Sequence, residues 1–224
     1  MPGVRQLRHV TPKPTTAINQ DEWLLKSIDT HLEKTTRRTN VGVFYPSSLG
    51  NPCDRFLYLA YNGDLPEQTI SPELQRIFDC GDALGYRFEK YFEKMGILIS
   101  TESQVKCEDP KMSGRIDFII KHEGIQDRAV IELKSINSRG FKALLDRPKP
   151  EHVIQTQIYL HLSNIKHGIV LYENKNDQHT KAFVVNYDEN VWNKLVERCH
   201  KIMAMREIPA RCTGPKYCQC RGVA

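Results

Sequence analysis

Residues 114–135, GRIDFIIKHEGIQDRAVIELKS, set two apolar, β-branched runs on either side of a polar turn. Runs of this kind read as a β-hairpin. The apolar stretches carry Asp117, Glu132 and Lys134. With the turn centred between Gly124 and Ile125, Asp117 stands directly opposite Glu132; a slip of one residue would separate them. Opposed residues have Cβ atoms about 5 Å apart, where like charges are destabilising. A divalent cation between the carboxylates removes that conflict. Side chains alternate along a strand, so Glu132 and Lys134 share one face and Leu133 points into the core. Mg²⁺ or Mn²⁺ takes oxygen ligands and keeps several waters. Such an ion turns a bound water into a nucleophile and neutralises phosphodiester charge. A lysine beside it orients or deprotonates that water and stabilises the developing oxyanion. A hairpin with an exposed charged face gives the same short pattern, so the rest of the chain has to decide.

The 224 residues suit one domain of ordinary size with a small appendage. Apolar content of 40% and charged content of 26% are those of an ordinary globular protein. No apolar run is long enough to span a membrane, and the first residues lack the apolar segment of a secretory signal. These features predict a cytoplasmic protein. Residues 1–20 hold Arg5, Arg8 and Lys13, three prolines and no acid, and read as a flexible basic arm. Residues 21–206 read as the main domain and 207–224 as a Cys-rich tail.

Three helices come first. One has Trp23, Leu24, Ile28 and Leu32 at helical spacing. A second starts near Ser47 or Pro52 and ends at Asn62-Gly63. A third, long one is capped by Ser71, has Pro72 at its first position and is closed by Gly96. Five β-rich segments follow: ILISTESQVKC, GRIDFIIK, RAVIELKS, HGIVLYEN and KAFVVNYD. Helices at about 139–146 and 151–164 interrupt them, and a last helix covers about 188–206. The expectation is an α/β domain with a central mixed, mostly antiparallel sheet flanked by helices. Within EHVIQTQIYLHL, Gln155 and Tyr159 share a helical face, with His152 one turn earlier.

The order GRIDFII, AVIELKS, HVIQTQIY resembles the PD-(D/E)xK nuclease superfamily of restriction-endonuclease-like fold, in its RecB-type form. The resemblance spans roughly residues 45–220. It implies that Asp117 and Glu132 are metal ligands, that Lys134 is the catalytic lysine, and that Gln155 and Tyr159 steady the site or the DNA. It implies a DNA nuclease dependent on Mg²⁺ or Mn²⁺, an exonuclease acting on single-stranded or end-containing DNA. The alternative is an inactive nucleic-acid-binding module of the same fold. The family often carries a metal-binding His on the helix before the sheet, in a pattern like Gly-x-x-x-His. Here Gly81 is followed four residues later by Gly85. Glu89, one turn further, is either the replacement ligand or a solvated surface acid. Arg55, Arg115, Arg139, Lys142 and the arm around Arg5 and Arg8 are candidate phosphate contacts. Beyond DNA, the expected partners are a second copy of the chain or a recombination, phage or defence protein.

Seven cysteines without an export signal point to metal or core packing rather than disulfides. Cys53 precedes the hairpin, and Cys212, Cys218 and Cys220 follow it. That arrangement resembles the iron–sulfur branch of the same superfamily, which includes the CRISPR-associated adaptation exonuclease, where a [4Fe–4S] cluster joins the two ends of the chain. The C-terminal spacing departs from the commoner one, and a structural Zn²⁺ is the alternative. Cys80, Cys107 and Cys199 lie in helix or strand patterns and read as buried small hydrophobes.

Overall fold

The computed structural model describes residues 20–33, 40–66, 70–122, 124–212 and 218–223. Arg5 and Arg8 lie outside the described residues. Contacts divide the chain into two compact units, Met1–Arg37 with Gln68–Arg76 and Arg38–Glu67 with Ile77–Ala224. In the first, helix α1 (Gln20–Leu32) carries Asp29, which pairs with Arg76 at 2.7 Å. Trp23, Leu24 and Ile28 on α1 are exposed.

The second unit holds α2 (Pro46–Leu49), α3 (Asp54–Asn62) and most of α4 (Pro72–Lys94). Strands β1 (Leu98–Glu108), β2 (Lys111–His122) and β3 (Ile125–Ile136) follow, then α5 (Ser138–Ala143) and α6 (Pro150–Ser163). Strands β4 (His167–Asn174) and β5 (Thr180–Asn186), helix α7 (Glu189–Ala204) and a 3₁₀ turn (Gln219–Gly222) complete it. The predicted second helix is two pieces. Gly50 and Pro52 interrupt it: proline cannot continue a helix, and a Cβ on Gly50 would lie 2.6 Å from the Glu151 backbone. Gly63 and Gly96 close α3 and α4 with positive φ, as expected. Ser71 Oγ accepts from the Leu74 amide at 3.2 Å, the expected cap.

The sheet has five strands in the order β1-β2-β3-β4-β5. β3 and β4 are parallel and the other neighbours antiparallel, so the sheet is mixed. The parallel pair needs a crossover, which α5 and α6 supply. Leu84, Phe88 and Phe92 of α4 cover one face of the sheet, against Phe118, Ile120 and Ile131. Tyr159 and Leu160 of α6 cover the other, against Ile116, Val130 and Val170. α3 and α7 pack beyond α6 through Leu57, Leu195, Cys199 and Ile202. Both faces are buried, and the adjacent Val130 and Ile131 point to opposite layers.

Candidate active site and cysteine centre

The β2–β3 ladder pairs Phe118 with Ile131, Ile119 with Val130 and Ile120 with Ala129. This is the predicted register. It ends at Phe118, and from there Asp117 replaces a backbone partner: its Oδ2 accepts from the Leu133 amide at 2.7 Å. The β1–β2 ladder is interrupted at the same level. Thr101 pairs with Phe118 and Ser103 with Ile116, while Glu102 between them has φ +52°. Ile116 packs under α6 and Phe118 against α4, although they are two residues apart on one strand. Face alternation therefore slips at Asp117. A slip of this kind re-aims a side chain and opens the ladder.

Glu132 pairs across β3–β4 with Val170, and Lys134 with Tyr172, which sets both on the α6 face. Glu132 is 1% exposed, and its Oε2 has no hydrogen-bond partner. Its Oε1 pairs with Lys134 Nζ. Burial, and then the neighbouring Asp117, push its carboxyl up to about 8, against the pull of Lys134. Burial also raises Asp117. Gln155 and Tyr159 are buried on α6, and the Gln155 amide donates to Tyr159 Oη at 3.2 Å. A Cβ on Gly114 would stand 2.9 Å from the Tyr159 ring and 2.7 Å from Pro46, so the glycine of GRID lets α2 and Tyr159 seat. His152 Nδ1 lies 2.7 Å from Tyr172 Oη, and burial pulls the imidazole down to about 3 and keeps it neutral.

A cleft of about 540 Å³ lies on the α4 side. Its walls include Asp117 and Arg115 of β2, Glu102 of β1, Ser135 of β3, and Gly81, Gly85, Tyr86 and Glu89 of α4. Glu132 and Lys134 are not part of its wall; they stand behind it on the α6 face. Gly81 and Gly85 have open space where a Cβ would be. Glu89 shares the wall with Asp117 but pairs with Lys90 at 3.9 Å. Among the described residues, only the four cysteines form a group of three or more ligating side chains with ligand atoms within 4.8 Å of one another.

The predicted phosphate contacts divide. Arg139 and Lys142 are exposed on α5. Arg115 is exposed at the cleft and pairs with Glu102. Arg55 is corrected: it is 6% exposed and donates to the carbonyls of Pro209, Cys220 and Val223 at 2.7 to 3.4 Å. An arginine buried in this way cannot present its charge to DNA.

Cys53, Cys212, Cys218 and Cys220 converge as predicted. Sγ separations are 3.6 Å between Cys53 and Cys220, and 3.3 Å from Cys220 to each of Cys212 and Cys218. Cys53 caps α3: its sulfur accepts from the Phe56 amide at 3.3 Å, a position that favours thiolate. Burial raises both the Cys53 and Cys220 thiols, the latter to about 12. Arg198 of α7 fixes the loop before Cys53 by pairing with Asp54 and donating to the Leu49 and Asn51 carbonyls. Of the remaining cysteines, Cys199 is buried as expected, Cys107 is partly buried, and Cys80 is exposed. Cys80 lies on the same stripe as Leu84 and Phe88, but no residue of α4 before Leu84 is buried.

Sequence spacing could not find Glu102, because a left-handed residue inside a strand is set by the neighbouring strands. Tyr172, too, reads in sequence as one more apolar residue of β4.

No family model matches the chain, and no curated protein matches it. Solved structures do. The chain is similar to SSO0001 (22% identity, TM-score 0.54, covering 90% of this chain and 93% of that one). It is similar to the alkaline exonuclease LHK-Exo from Laribacter hongkongensis (11% identity, TM-score 0.53, 80% and 91%). It also matches LHK-Exo in complex with dAMP (14% identity, TM-score 0.55, 73% and 87%). At these identities the likeness establishes the fold: an α/β core with a five-stranded mixed sheet flanked by helices, shared with an exonuclease. No described helix is long and apolar enough to cross a membrane.

Proposed function

We propose that the chain is a divalent-metal-dependent DNA nuclease, an exonuclease acting on single strands or at DNA ends. The observation that carries this reading is Glu132, a fully buried carboxylate beside Asp117 whose Oε1 pairs with Lys134 and whose Oε2 has no hydrogen-bond partner. A buried carboxylate oxygen left without a donor costs about 1–3 kcal/mol, and one lysine cannot balance two buried carboxylates, so the pair calls for a further positive group. Mg²⁺ or Mn²⁺ fits this all-oxygen donor pair, and when bound it supplies an acidic water and neutralises phosphate charge. Asp117 and Glu132 would hold it. Lys134 orients the attacking water and its ammonium meets charge developing on the phosphate. Gln155 and Tyr159 keep the α6 face of the site in place. Arg115, Arg139 and Lys142 contact the DNA backbone, and Glu89 is a candidate third ligand from the cleft wall. LHK-Exo has been solved with dAMP; a deoxynucleoside monophosphate is the product class expected from digestion at an end.

The cysteine centre is read as structural. Four thiolates 2.3 Å from one tetrahedral ion stand about 3.8 Å apart, close to the separations here. A four-iron cluster interposes irons and sulfides and spreads its thiolates further. The sulfur geometry therefore favours Zn²⁺, and the family resemblance favours [4Fe–4S]. A visible spectrum of anaerobically purified protein separates them: broad visible absorbance for the cluster, a colourless zinc protein for the ion.

The test of the main reading is cleavage of end-labelled linear and covalently closed DNA, single- and double-stranded, with Mg²⁺, Mn²⁺ or chelator. Metal-stimulated loss of linear DNA is expected, abolished in Asp117→Ala, Glu132→Ala and Lys134→Ala. Full activity of Lys134→Ala would remove the case for this site. DNA binding with no cleavage under any metal would establish the inactive-module alternative.

A further inference from the structure

Arg55 follows Cys53 by two residues and turns away from solvent. Its guanidinium donates to the Pro209 carbonyl at 2.7 Å, the Val223 carbonyl at 3.1 Å and the Cys220 carbonyl at 3.4 Å. Pro209 precedes the first tail cysteine and Val223 follows the last, so one side chain ties both flanks of the tail. It does so from α3, the helix that Cys53 caps. Cys53, Leu59 and Cys220 are buried together, and Cys212 and Cys218 pack against them. Among its described residues the tail brings no helix or strand of its own beyond the 3₁₀ turn at Gln219–Gly222.

We propose that Arg55 is the positioning residue and counter-charge of the four-cysteine centre. The inference rests on the reading that this centre holds a metal. Four thiolates around Zn²⁺, or around a cluster core of equal charge, leave a net charge of about −2 in a largely buried site. A buried net charge is costly unless compensated. A guanidinium is always charged, forks toward several acceptors at once and is more weakly hydrated than an ammonium, so it is the side chain best suited to sit there. The carbonyls it gathers are those of the segments carrying the ligands, so the same residue that offsets the charge also sets the approach of Cys212, Cys218 and Cys220. Groups that hydrogen-bond around a metal's ligands in this way commonly account for a tenfold to hundredfold difference in metal affinity.

The test compares Arg55→Gln, which keeps hydrogen bonding without charge, with Arg55→Lys, which keeps charge. Metal per chain, the rate of metal loss to a chelator and the melting temperature are measured for full-length protein, loaded and stripped. Wild type should carry about one centre per chain. Arg55→Gln should lose metal to chelator at least tenfold faster, and Arg55→Lys should recover much of that retention. The melting temperature of Arg55→Gln should fall in the loaded protein but match wild type once both are stripped, because the arginine acts through the centre. Equal melting losses in loaded and stripped protein would make Arg55 a plain carbonyl clamp and overturn the proposal. Unchanged chelator kinetics in Arg55→Gln, or a lysine variant no better than glutamine, would overturn it as well. Wild type purified without metal would remove the centre and the proposal together.

Discussion

Glu132 is the residue on which the site turns, and its proton is measurable. In the unfolded chain it ionises near the ordinary 4.5; in the folded, metal-free site burial and Asp117 hold the proton up to about 8. A raised carboxyl pKa contributes stability that is complete below the unfolded value and lost as pH rises through the folded one. Metal-free protein should therefore lose melting temperature between pH 4.5 and about 8, and Glu132→Gln should flatten that slope. Metal must displace the proton, so the stabilisation by Mn²⁺ should grow with pH over the same window. Stabilisation independent of pH across it would place the metal elsewhere. Glu89→Gln should raise the metal concentration needed for half-maximal cleavage, and an unchanged titration would return Glu89 to the surface. Salt bears on the arginines and lysine: replacing Arg115, Arg139 and Lys142 together should flatten the dependence of log K for DNA on log salt by about 2 to 3.

Among the elements, α4 and the first hairpin strand give opposite expectations for glycine. Gly85→Ala adds a Cβ into open space inside a helix. It should raise stability by roughly 0.5–1 kcal/mol, by removing glycine's excess backbone entropy. Gly85→Leu should keep that fold but close the cleft and cut cleavage. Gly114→Ala pushes Tyr159 and Pro46 apart and should lower both melting temperature and activity. The pairing from Phe118–Ile131 to Lys121–Arg128 was legible in the sequence because the polar turn and the apolar runs favour it, whereas the turn centre was not: the register shifts after Lys121, and His122 pairs with Ile125. The five strands and the long helices were legible for the same reason of periodicity. The break at Gly50-Asn51-Pro52 was only half legible, since either start for the second helix fits the pattern. The slip at Asp117 was not, because it needs Glu102 of a neighbouring strand in a left-handed conformation. Arg55 was misread because a buried arginine and a phosphate-binding one look alike in a sequence. What separates them is a tail that lies 165 residues away.

At the scale of the molecule, the cysteine centre joins positions 167 residues apart in sequence, Cys53 and Cys220. In the chain-entropy account a cross-link over so long a loop stabilises by roughly 4–5 kcal/mol. Serine at Cys53, Cys212, Cys218 or Cys220 should therefore lower melting temperature and metal content together. The same change at the exposed Cys80 should leave both unaltered, and at Cys199 should cost about what a small core substitution costs. Melting curves and metal analysis of the seven variants check this. If the four do not separate from the other three, the centre is wrong.

The distance spanned by that centre also orders events during synthesis. Cys53 leaves the ribosome early and must wait as a lone thiol while the sheet, α6 and α7 are made. Its partners arrive only after every residue of the candidate active site has been translated. A nascent chain that stalls anywhere in between cannot close the centre. On the proposed reading of the centre as a metal site, metal acquisition acts as a check on synthesis: only a chain translated past the candidate active site can close the centre around its tail.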